Sequence, residues 1–143
     1  MTYKGLSPAL QTQAQMLAKL QHDLRRMRAD PSDPFAAYDF FVTAFHMREW
    51  PPGASIDSTH LALLKHLAVG AKHFRPKDPS LKSVTDVKTV GGAFQRDAFQ
   101  PGGFQIGRLV IELDGDAAAM FGQEVSALAL AEQTLAAWEA SVS

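Results

Sequence analysis

The chain contains no cysteine. A disulfide framework, a thiolate nucleophile and a thiolate metal site are therefore excluded. No apolar run approaches the about 20 residues that a membrane-spanning helix needs, and the opening Met-Thr-Tyr-Lys-Gly has no apolar stretch behind its charge. The expectation is a soluble, cytoplasmic protein with no secretory signal and no membrane partner. A net charge of −1 gives no global pull toward nucleic acid or anionic lipid. No Gly-x-Ser-x-Gly occurs, and neither Gly91-Gly92 nor Gly102-Gly103 is followed by Lys-Ser or Lys-Thr. A serine-hydrolase elbow and a phosphate-cradling loop of the usual kind are missing.

What is present suits an ordinary globular domain. At 143 residues, 46% hydrophobic and 20% charged, the chain is long enough to bury a core without staples and is read as one domain, residues 1–143. Its most apolar and aromatic stretch is 36–50. On a 3.6-residue period Tyr38, Phe41, Phe45 and Glu49 follow one line of a helix, while Asp39, Thr43, His46 and Trp50 follow another. A carboxylate, a hydroxyl and an imidazole in so apolar a helix need partners if they are buried. The natural source is a facing helix that carries Gly70-Ala71-Lys72-His73-Phe74.

Ser7-Pro8 reads as a helix start. Leu10, Leu17, Leu20, Leu24 and Met27 then form an apolar stripe that ends in Arg25-Arg26-Met27-Arg28, where cations suit the negative end of the helix dipole. Asp33 and Pro34 cap and open a second helix that runs to Trp50 and stops at Pro51-Pro52-Gly53. The short loop between them makes the two helices antiparallel neighbours. A third helix starts within 55–58, turns Leu61, Leu64, Leu67 or Ala68, Ala71 and Phe74 inward, and ends at Arg75-Pro76. Residues 83–90 alternate at period two, and 104–113 is the clearest strand. Between these strands Phe94, Phe99 and Phe104, each followed by Gln, repeat at a step of five. Three copies are too few for a solenoid, so a long hairpin with its Phe side chains laid on the helices is expected. Asp114-Gly115-Asp116 caps a last helix from Ala117 to Val142, striped by Phe121, Val125, Leu128, Leu135, Trp138 and Val142. The expected fold is all-α: a four-helix up-down bundle with a β-hairpin insertion, 76–113, between helices three and four.

Charge is unevenly spread. Lys65, Lys72, Arg75, Lys77, Lys82 and Lys88 face only Asp78 and Asp86 in their stretch, whereas from Glu112 onward there are acids and no Lys or Arg. This is either a solvated dipolar surface or a basic face for a polyanion. Of the five histidines, His22, His60 and His66 fall on helix surfaces, and His46 and His73 lie beside core positions. His46-Met47-Arg48-Glu49 reverses the Glu-x-x-His of di-iron bundles and has no second carboxylate copy. One His and one Asp from helix two with His73 would be a minimal ligand set, and neither a metal nor a cofactor is expected. A histidine among cations can still act as acid or base toward a ribose 2′-hydroxyl without metal, because RNA carries its own nucleophile.

Tyr38 to His46, Gly70 to Phe74 and Leu109 to Gly115 together resemble a family of small uncharacterised proteins of bacteria and their phages. The resemblance covers residues 33–140. That family is similar in outline to the HEPN domains, helical bundles of RNA-cleaving toxins, defence systems and nucleotidyltransferase partners. The HEPN nuclease motif places an Arg five to seven residues before a His, whereas Ala68, Leu67 and His66 stand there before His73. The resemblance thus implies a non-catalytic interaction protein that binds a protein partner or RNA through the basic face, and a homodimer is expected through an exposed apolar face or through the Phe-Gln repeats. Its binding residues would be Asp39, Thr43, Trp50, Lys65 and Arg75. The alternative is a metal-independent ribonuclease with His73 as acid–base group, aided by His46 and Lys72.

Overall fold

The computed structural model describes residues 3, 5–73, 78–91 and 107–142. Among them the elements follow in the order α1 (Gln13–Ala29), α2 (Pro34–His46), α3 (Ser58–Lys72), β1 (Val84–Val90), β2 (Arg108–Leu113), α4 (Gly115–Phe121), β3 (Glu124–Ser126) and α5 (Ala127–Val142), with a 3-10 turn at Met47–Glu49. The fold is therefore α+β, mostly helical with a small antiparallel sheet, and the expectation of an all-α class is corrected.

The cause lies at Gly122. A single last helix from Ala117 was expected, but Gly122 adopts φ 93°, a conformation that side-chain-bearing residues rarely take, and ends α4 there. The next residues extend and pair with β2, setting Val110 against Ser126, Ile111 against Val125 and Glu112 against Glu124. A two-stranded hairpin thus becomes a three-stranded sheet in the order β1-β2-β3. Burial supplies the drive: β3 puts Val125 into the core beside Ile111 and Leu113.

Local signals position the helices. The first helix starts at Gln13 and not at Ser7-Pro8, because Thr12 and Gln15 form a reciprocal capping box that satisfies two orphan N–H groups. Asp33 caps α2 and Pro34 opens it, as expected. Asp57 caps α3 by accepting from the Thr59 and His60 amides. Helix α2 packs against α1, α3 and α5. Its Ala36, Phe40 and Ala44, one turn apart, have no exposed surface, and they meet Leu20 and Leu24 of α1, Leu63 and Leu64 of α3, and Leu130 and Trp138 of α5 within one core.

A polar clasp locks the chain between α2 and α3 to the start of α1. The fully buried Gln13 donates from Nε2 to the Met47 and Ala54 carbonyls, at 3.0 and 2.7 Å, and accepts from the Ala54 amide at 3.0 Å. Truncation would strand all three backbone groups. Gln13→Ala is expected to cost about 2 kcal/mol of unfolding free energy, read as a lower denaturation midpoint at unchanged slope.

Candidate functional site

Between the first half of α2, the second half of α3 and the β1–β2 ribbon lies a cleft of about 450 Å³. Phe41 of α2 and Ile111 of β2 are buried residues of its lining, Leu67 and Ala71 line it from α3, and Val84 and Val87 form the β1 wall. Tyr38, 49% exposed, lines it from α2, and Phe35, 74% exposed, stands one turn earlier on the same helix. Size and apolar character are those of a binding cleft with few polar groups. Gly70 opens the α3 side, since a Cβ built there would meet no atom within 4 Å.

The polar group that joins two walls of this cleft is His66. Its Nδ1 accepts the Val84 amide at 3.0 Å, which leaves the proton of the neutral ring on Nε2. Burial pushes the ring below the ordinary histidine value. The direction of the bond also matters. Val84 stands opposite Leu113, and the Leu113 amide donates the other way, to the Gln123 carbonyl. The Val84 amide therefore points off the free edge of the sheet, and His66 covers it. Val87 repeats the arrangement, its amide donating to Asp86 Oδ1 at 2.9 Å. The outer edge of β1 is thus partly closed to strand addition.

The residues singled out in the sequence are not brought together. Pro34 and Ala37 from the start of α2 and Gly70 and Ala71 from the end of α3 line the same cleft, and the two helices pack together, so α2 and α3 run antiparallel. His46 ends α2 at the far end of the pair, about 18 Å along its axis from Pro34 at 1.5 Å per residue. There its Nδ1 lies 3.1 Å from Glu49. His73 is the C-cap of α3, and both it and Lys72 are exposed. His46 and His73 thus stand at opposite ends of the helix pair, too far apart to act on one bond. Asp39 turns to α1 and bonds Arg26, which also pairs with the buried Asp23. Thr43 is buried within α2, and Trp50 is half-buried against the core. Lys65 lies close enough to Asp78 to help lower its pKa, after the larger effect of the Ser80 backbone and side-chain hydrogen bonds. Lys88 bonds Glu112 and Glu124 across the three strands, at 2.7 and 3.0 Å. Arg75, Lys77, Phe74 and the Phe-Gln repeats at 94–105 lie outside the described residues.

Of the histidines expected at the surface, His60 is buried and His66 is half-buried. His60 is 3% exposed, bonds Thr134 Oγ1 of α5 through Nε2 at 2.8 Å and packs edge-on to Phe121. The signal for it was local: His60 stands three and four residues before Leu63 and Leu64, on the inward line of α3. His66 had no such signal, because its partner comes from a strand eighteen residues on.

Among the described residues no group of three His, Cys, Asp or Glu could hold a metal ion, and no helix is long and apolar enough to cross a membrane. Compared with protein-family models, curated proteins and solved structures, the chain finds no match.

Burial lowers the His60 pKa against a smaller upward pull from Asp57. In the unfolded chain the ring titrates near its ordinary value of about 6.5. The unfolded state therefore binds the proton first, and the His60 contribution, complete above that value, is lost as pH falls toward the folded-state pKa. Unfolding free energy should drop between pH 7 and pH 5, by no more than about 1.4 kcal/mol per pH unit from this one ring. Denaturation of His60→Gln across that range should show a shallower slope.

Proposed function

We propose that this protein is a non-catalytic helical interaction module, HEPN-like in the outline of its four longer helices, that docks an apolar segment of a protein partner in the α2–α3–β1 cleft. The observation that carries the reading is the cleft itself, apolar on both helices and on the sheet, with exposed Phe35 and Tyr38 along α2. Recognition there is by side chains, since His66 and Asp86 already take two outward amides of β1. The four longer helices with β1 and β2 inserted between the third and the last support the bundle outline, while α4 and β3 depart from it.

RNA is the less favoured partner. Lys88 is held by two carboxylates and Lys65 lies by Asp78, so among the described residues of the 65–88 stretch Lys72 and Lys82 are the exposed cations left to a basic face. Among the described residues, a ribonuclease would have His73 and Lys72 at one end of the helix pair and His46 at the other.

Two measurements on the purified protein test this. The apolar dye 8-anilinonaphthalene-1-sulfonate should bind saturably, and Gly70→Leu, which fills the cleft from an unobstructed position, should weaken it about tenfold or more. Lys72→Glu with Lys82→Glu should leave dye binding unchanged. Mixed cellular RNA incubated in EDTA should stay intact. Cleavage by wild type that a folded His73→Ala variant loses would establish the ribonuclease. RNA retained by wild type and released by the double charge reversal would make the partner a nucleic acid.

A further inference from the structure

The bond between His66 and Val84 is the point where β1 begins and where the sheet is tied to α3. Ser83 accepts the Asp114 amide at 3.0 Å, and the pairing register slips between Val84 and Asp86, so the first residues of β1 are held to β2 by an irregular ladder. On the opposite side the tie is an imidazole nitrogen that must be unprotonated to accept. A proton on Nδ1 would set two N–H donors against each other and strand the amide of a half-buried residue.

We propose that His66 is an acid-released latch: neutral, it holds the start of β1 and the β1 wall of the cleft against α3, and protonated at Nδ1 it lets that wall go.

The surroundings favour the neutral ring. From α2, Tyr38 shares the cleft with it, and from β1, Thr85 and Asp86; β2 and the first residue of α5 contribute Leu109, Ile111 and Ala127. Asp86 is the one carboxylate of the lining, and its Oδ1 is taken by the Val87 amide. On α3 the adjacent residue in sequence is the cation Lys65, which acts on Asp78, and of the loop that leads into β1, Asp78 accepts from Ser80 while Lys82 is exposed. Burial lowers the ring's pKa, in agreement with the bond geometry. By linkage the latch is closed above the ordinary histidine value, and it opens as pH falls through the lowered pKa of the folded protein. His60 titrates in the same direction but touches Thr134 and Phe121 and not β1, so a local readout separates the two.

The latch concerns the wall of the cleft taken above as the docking site, but its readout needs no partner, so failure of the latch and failure of docking are told apart. The experiment is amide hydrogen exchange by NMR on the whole chain, with protection at Val84 and at the central-strand residue Ile111 followed through the titration of the His66 ring in the same samples. Protection at Val84 is expected to fall about tenfold for each pH unit below the ring's midpoint, while protection at Ile111 does not follow that midpoint. His66→Asn places a non-titrating amide oxygen where Nδ1 was and should keep Val84 protected independently of pH. His66→Leu should leave Val84 unprotected at every pH. Protection at Val84 that stays constant as the His66 ring takes up its proton would overturn the proposal, as would an unchanged pH dependence in His66→Asn or a protected Val84 in His66→Leu.

Discussion

Everything in this fold is arranged around a helix that is apolar almost all the way round. Ala36, Phe40 and Ala44 have no contact with solvent, and α1, α3 and α5 pack against the helix that carries them. Small residues one turn on either side of Phe40 let neighbouring backbones approach while the ring fills the centre. Three helical neighbours cannot enclose a helix whose first half also carries Phe35, Tyr38 and Phe41. The remaining sector faces β1 and β2 across the cleft.

The sheet is therefore a wall of the site as much as a piece of the fold. Its inner side delivers Ile111, Leu113 and Val125 to the core, and Lys88 bridges Glu112 and Glu124 across the strands. Its free edge is managed by side chains, His66 and Asp86 taking outward amides that would otherwise invite another strand. One imidazole so serves as edge cap and as tie to α3, through a ring nitrogen that accepts the Val84 amide only while it is unprotonated.

Direction of travel separates the polar groups that a sequence pattern would join. With α2 and α3 antiparallel, a histidine at the end of each helix falls at opposite ends of the pair. Asp39, in the seam with His46, is neutralised from the other side by Arg26. The polar seam of α2 is thereby divided among α1, the core and the Met47–Glu49 turn, and it never forms one site.

Read alone, the amino-acid order determined what nearest neighbours along the chain decide. The stripe Leu20, Leu24 and Met27, the Asp33-Pro34 start of α2, the apolar girdle around Phe40 and Phe41, and strands near 84–90 and 108–113 all follow from period, capping and proline geometry within a few residues. Tertiary structure decided the rest, for reasons no local window contains. Glu124–Ser126 is a strand because β2 had an open edge beside it, although its spacing also fits a helix. His66 joined the site because a strand arrived from eighteen residues away, and His46 left it because the loop from Trp50 to Asp57 turned the next helix back. Helix faces are written in the order of residues, whereas which faces meet, and in which direction, depends on how the whole core closes.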